Sequence, residues 1–155
     1  MIHTTKTTVI QKMRKNEMFY LNELDIKSAA IMLEHYCHGQ AKHNGWWTDM
    51  LTGQDLTSTG YPMISPTKNV GELLALIHSE VSEALEHHRK LLMDDKLPHR
   101  SGLEVELADA VIRIFDVGGG LGLDIPGAIT EKLVYNGKRA DHKIENRRDV
   151  GGKKF

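Results

Sequence analysis

Apolar residues recur at helical spacing through most of this chain, and two stretches carry the clearest pattern. In Gly71 to Lys90, reading GELLALIHSEVSEALEHHRK, the residues Leu73, Ile77, Val81, Ala84 and Leu85 fall on one stripe at about 100° per residue. In Leu103 to Val117, reading LEVELADAVIRIFDV, the stripe is Leu103, Leu107, Ala110, Val111 and Ile114. Both stretches predict amphipathic helices. The first should run to about Met93, and Asp94 to Gly102, with Pro98, Ser101 and Gly102, should reverse the chain. The second should stop at Gly118-Gly119-Gly120. Upstream, Asp25 is placed to cap a helix from Ile26 to about His38, with Gly39 and Asn44-Gly45 slowing or ending it. Downstream, Asp124 is placed to cap a third C-terminal helix with Pro126 in its first turn, running to about Arg139. No alternating strand pattern and no internal repeat stand out, so the fold class is all-α. The expected domain organisation is one domain over 1–155, with an N-terminal arm at 1–22 and a basic tail at 140–155. Thr48 to Thr67, polar and holding two glycines and two prolines, reads as a loop of the length that is usually functional or disordered.

The polar positions on the two central helices change this picture. Glu80 and Glu83 on the first, and Glu106 and Asp109 on the second, each lie three residues apart, so each pair leaves its helix on one face. Both pairs border the apolar stripe rather than the opposite face. Four carboxylates so placed repel one another and lose hydration, which calls for a cation. The all-oxygen donor set suits Mg²⁺, with Mn²⁺ as a substitute. The plainer reading is a wet acidic face, with Arg113 pairing Glu106 or Asp109.

Composition narrows the function class. The 155 residues are 40% hydrophobic and 26% charged, with a formal net charge of −1, which excludes a generally basic nucleic-acid binder. The charge is uneven: residues 71–109 hold nine Asp/Glu against four Lys/Arg, and residues 132–155 hold eight Lys/Arg against three Asp/Glu. An acidic centre and a basic end suit a metal together with a polyanion such as a phosphate chain. The single cysteine, Cys37, excludes an internal disulfide and a multi-cysteine zinc site. No run is long enough to span a membrane and Met1 to Leu21 lacks a signal-peptide core, so a cytoplasmic protein without membrane or nucleic-acid partners is expected. Gly118 to Gly122 lacks the third glycine of a dinucleotide loop, and His78-Ser79-Glu80 lacks the C-x-x-C of a zinc deaminase.

The run SEVSEALE, followed after about twenty residues by ELAD, resembles the signature of the MazG-like all-α nucleoside triphosphate pyrophosphohydrolases, ExxE then ExxD on the next helix. EKLVYNGKRADHK and the closing GGKKF are similar to the K-x-x-Y-N-x-x-R element and glycine–lysine tail of phage and bacterial members. The resemblance covers about Asn69 to Phe155. It implies a helical bundle completed by oligomerisation, as a homodimer or homotetramer, that converts a nucleoside or deoxynucleoside triphosphate to the monophosphate and pyrophosphate. Glu80, Glu83, Glu106 and Asp109 match the Mg²⁺ ligands, with Glu83 first and Glu80 second as the base that activates water. Lys132, Asn136 and Arg139 match the element that contacts phosphates and sugar; read independently, they lie at i, i+4, i+7 on one face of the third helix. Lys153, in the closing glycine–lysine run, could fold over the triphosphate. Trp46 or Trp47 could stack on the base, or pack in the core. Two other readings remain: a dimeric dUTPase-type hydrolase, and a non-enzymatic helical oligomerisation module.

Overall fold

A computed structural model describes residues 22–58 and 68–153. These residues are all-α, with no strand among them and only two isolated bridges. The elements are α1 (Glu23–His43), α2 (Val70–Lys90), α3 (Gly102–Leu121), α4 (Ile125–Lys138), a 3-10 turn (Ala140–His142) and α5 (Ile144–Arg148). The chain divides into two compact units, Ile31–Ile125 and a second whose described residues are 22–30 and 126–153. The arm expected at 1–22 lies outside the described residues except for Asn22.

Helix ends follow local chemistry more closely than the apolar pattern does. Asp25 does not cap α1. Asn22 does, its Oδ1 accepting from the Asp25 N–H at 2.9 Å, while the Asn22 N–H donates to Asp25 Oδ2 at 3.3 Å. This is a reciprocal capping box one turn earlier than expected. Gly39 does not stop α1 either. The helix continues to His43 because an exposed glycine costs it only about 1 kcal/mol. Asn69 caps α2, accepting from the Gly71 and Glu72 N–H groups. Leu91, left-handed at φ 54°, ends that helix at Lys90 rather than near Met93. The reversal is tight: Asp94 N–H donates to Arg100 O and Gly102 N–H to Leu92 O. Ser101 then caps α3 through Glu104 N–H. In consequence α2 and α3 run side by side as an antiparallel pair.

The glycine triplet is a helix interior, not a stop. Helix α3 runs through Gly118, Gly119 and Gly120 to Leu121, and Gly122, at φ 64°, closes it. These positions lack side chains because other groups fill the space. A Cβ on Gly118 would sit 2.7 Å from Glu34 Oε2, one on Gly119 2.6 Å from His38 Cβ, and one on Gly120 would overlap the Trp47 indole. Close approach of α1 and Trp47 to α3 therefore outweighs the helix propensity given up.

Trp47, Val117 and Leu121 form the centre of this unit's core, with Ala41, Val70, Leu73, Ile77 and Leu123 packed around them. The Trp47 N–H donates to Asp116 Oδ1 at 2.7 Å, and His38 Nδ1 lies 3.0 Å from the same oxygen. The His38 ring meets the indole edge-on at 5.4 Å, and Lys68 Nζ lies 4.9 Å above it. The segment after Trp47 is not a bare loop. Asp49 gathers the Leu51 and Thr52 N–H groups, Lys42 pairs with Asp55 at 2.8 Å, and Ser58 N–H reaches Gly120 O. The rest of the predicted loop, residues 59–67, lies outside the described residues. Not all of the predicted stripes are core: Val81, Leu85, Leu107, Val111 and Ile114 are exposed.

The glycines separate into two kinds, and stability measurements should show it. Gly120→Ala must displace the indole and should destabilise by about 1–3 kcal/mol, or roughly 2–4 °C of Tm per kcal/mol for a chain of this size. Gly39→Ala, with nothing within 4 Å of the new methyl, should stabilise by about 0.5–1 kcal/mol. Thermal melts followed by circular dichroism and tryptophan fluorescence check both.

Candidate metal centre

The α2–α3 pair brings three of the four predicted ligands together. Glu80, Glu83 and Glu106 each offer a carboxylate oxygen, all within 4.8 Å of one another, and among the described residues no other group does this. Glu80 and Glu106 are buried, and Glu83 is exposed. The spacing in sequence explains the arrangement. Glu80 lies between the stripe residues Ile77 and Ala84 and is drawn inward with them, whereas Glu83 lies about 60° further round the helix. Glu106 faces inward with Ala110, one turn on. Asp109 is half-buried and electrostatically coupled to Glu80, but lies outside the tight group of three.

Burial and like charge act together here. Glu106 is pushed above the usual carboxylate range first by burial, then by the Glu83 charge and by its hydrogen bond and repulsion with Glu80; His87 offsets part of this. Asp109 is raised by burial first and then by Glu80, with Arg113 offsetting and Asp94 adding to it. The counter-charge is short. Arg113 does not pair with Glu106 or Asp109; its Nε donates to Glu80 Oε1 at 2.5 Å. His87 Nε2 lies 3.5 Å from Glu106 Oε1.

The residues fit a hard divalent cation. Bonds of about 2.1 Å allow opposite ligand oxygens to stand about 4.2 Å apart, so small side-chain rotations would close the present spacing on one ion. An oxygen-only donor set matches Mg²⁺ or Mn²⁺ rather than zinc. Such an ion would replace mutual repulsion by attraction at two buried groups, the strongest physical reason for this cluster to tolerate burial.

The remaining predicted residues fall elsewhere. Trp47 is the packed tryptophan, 1% exposed with its N–H engaged by Asp116, so its face is not open to a base; Trp46 is exposed. Lys132, Asn136 and Arg139 belong to the second unit. Helix α4 ends at Lys138, and Arg139 has extended backbone, so the three do not share one helical face to the end. Tyr135 gathers the cations instead: Lys132 Nζ lies 4.8 Å and the Arg139 guanidinium 5.9 Å from its ring centre. Arg139 also grips Asp141 with two N–H groups, at 2.9 and 2.5 Å. Asn136 Oδ1 is buried without a hydrogen-bond partner. The tail up to Lys153 folds on itself. Gly151 turns at φ 83°, Gly152 fits against the Asn146 and Arg147 carbonyls, and Arg147 Nε donates to Lys153 O at 3.1 Å. Arg113, His87 and Asp94 are the parts of the site that helical spacing alone does not assign. Arg113 is visible in the sequence as a flanking cation, but its partner depends on how the two helices dock.

Stability should carry the mark of the raised carboxyls. Between the ordinary glutamate value of about 4.3 and its raised value, folded Glu106 holds a proton that the unfolded chain has released. Metal-free stability should therefore fall as pH rises through that window. Glu106→Gln should flatten the fall and raise the metal-free Tm by a few degrees at pH 8, whereas Glu80→Gln, which gives up the Arg113 pair, should not. Melts in chelator from pH 4 to 8 check the sign.

Comparison of this chain with protein-family models, with curated proteins and with solved structures gives no match, so the reading of the site rests on its residues and their geometry.

Proposed function

We propose that this protein is a Mg²⁺-dependent nucleoside triphosphate pyrophosphohydrolase of the MazG-like type. The observation that carries the proposal is the trio Glu80, Glu83 and Glu106, two of them buried, with oxygens within 4.8 Å across α2 and α3. The residue patterns SEVSEALE, ELAD and KLVYNGKR support it by their resemblance to that family.

In this reading Glu80, Glu83 and Glu106, with Asp109 beside them, would hold a divalent ion, which would supply charge neutralisation to the triphosphate. Glu83, the exposed member of the trio, orients a water and takes its proton. Glu80 suits the base role less well, because Arg113 already occupies its Oε1. The water oxygen bonds to the α-phosphorus, the bond to the bridging oxygen breaks, and pyrophosphate departs with that electron pair. The resemblance assigns contacts with phosphates and sugar to Lys132, Asn136 and Arg139, where two cations and an amide offer the donors such groups need. Self-association belongs to the same proposal: the exposed apolar residues Val81, Leu85, Leu107, Val111 and Ile114 offer the material of an interface.

A screen of the eight common ribo- and deoxynucleoside triphosphates with Mg²⁺ or Mn²⁺, products resolved by chromatography, tests the activity. We expect monophosphate and pyrophosphate in equal amounts, abolished by chelator and reduced by orders of magnitude in Glu83→Gln. Absence of turnover on every nucleotide, or release of orthophosphate as the first product, would contradict the proposal. Arg139→Ala should weaken triphosphate binding more than monophosphate binding, because the guanidinium is assigned to the phosphate chain that the monophosphate lacks. Isothermal titration of both nucleotides checks this.

A further inference from the structure

His87 sits at a junction that the proposed reaction does not use. It lies one turn beyond Glu83 on α2, with its side chain about 20% exposed, and its ring covers Gly102 at the start of α3. A Cβ on Gly102 would overlap the ring, so this glycine leaves the room in which the imidazole lies. The turn from Leu91 to Ser101 fixes the two against each other, through Leu92 N–H to His87 O and Gly102 N–H to Leu92 O. One ring nitrogen, Nε2, faces Glu106 Oε1 at 3.5 Å. The other, Nδ1, is buried and meets no hydrogen-bond partner.

Those two environments choose the tautomer. A hydrogen on Nδ1 would bury an unpaired donor, at a cost of about 1–3 kcal/mol, and would turn two lone pairs toward each other at Nε2 and Glu106. A hydrogen on Nε2 removes both penalties, since a bare Nδ1 lone pair is the cheaper group to leave unpaired. Glu106 needs such a donor. It is buried between two other carboxylates, and Arg113 is bonded to Glu80 rather than to it.

We infer that His87, in its Nε2–H tautomer and seated in the space left by Gly102, is a positioning residue that aims the Glu106 carboxylate into the metal cluster. The inference rests on the metal reading of the Glu80–Glu83–Glu106 group and adds to it the group that orients one ligand. Neutral donors behind ligand atoms typically contribute about 10- to 100-fold to metal affinity. They do so by fixing the ligand's rotamer before the ion arrives. Gly102 acts one step further out, by admitting the ring.

Two readouts test this on the full-length protein. The first needs no metal: at a pH above the raised Glu106 window, where that carboxyl is ionised, nitrogen-15 shifts of the His87 ring should report the Nε2–H tautomer, and an Nδ1–H tautomer would overturn the inference. The second is titration of Mn²⁺ alone by calorimetry. His87→Phe, which keeps a ring and removes the donor, should weaken Mn²⁺ about 10- to 100-fold. His87→Gln, whose amide N–H can stand near the Nε2–H position, should recover most of that. Gly102→Ala should behave like His87→Phe by displacing the ring, and serves as the second probe if the Phe variant does not fold. Wild-type affinity in His87→Phe or Gly102→Ala, or a Gln variant no better than Phe, would overturn the positioning role while leaving the metal site standing. Failure of the wild-type protein to bind Mn²⁺ would overturn both.

Discussion

The structure around α2 and α3 depends on one unfavourable interaction, the crowding of carboxylates between two helices that otherwise pack by apolar contact. Ala84 and Ala110 are buried and small, and their size lets the helices approach. That approach takes Glu80 and Glu106 out of water together. Burial first, and neighbouring carboxylate charge second, raise the carboxyls of Glu106 and Asp109. Arg113 answers part of the charge and His87 aims at another part. The balance left over is what a divalent cation would meet.

This arrangement places stability and function in opposition. A helix pair chosen for stability alone would carry apolar residues at 80 and 106, since well-packed hydrophobic groups commonly equal or exceed buried charge. Favourable contacts are concentrated elsewhere in the unit. Trp47 is clamped by Asp116, edge-packed by His38 and seated against Gly120, and the segment after it is hydrogen-bonded to α1 and α3. That cluster lies about three turns along α3 from Glu106, so the same helix is anchored at one end and carries the buried carboxylate at the other.

Much of the fold is legible in the sequence because periodicity is a local property. The spacing of Leu73, Ile77 and Ala84, of Glu80 with Glu83, and of Glu106 with Asp109 specifies two helices and their acidic faces. Periodicity does not reach anything set by contact at a distance. The triplet Gly118-Gly119-Gly120 has the composition of a helix stop, yet it is helix interior because Glu34, His38 and Trp47 press against it. Asp25 looks like a cap until Asn22 is seen accepting from its N–H. Arg113 flanks Asp109 at helical spacing but bonds Glu80, a choice decided by the docking of α2 on α3. His87 gives only the signal of lying on the Glu83 side of its helix; its link to Gly102 depends on the turn between the helices. Lys132, Asn136 and Arg139 have the spacing of one helical face, and Arg139 instead leaves the helix to pair with Asp141.

The central claim is that the carboxylates of α2 and α3 form a divalent cation site. Crystals grown with Mn²⁺ and measured at a wavelength where manganese scatters anomalously test it most directly. We predict an anomalous peak among the carboxylate oxygens of Glu80, Glu83 and Glu106, within about 2.3 Å of at least two of them. No peak at saturating Mn²⁺, or one seated only on other groups, would contradict the account.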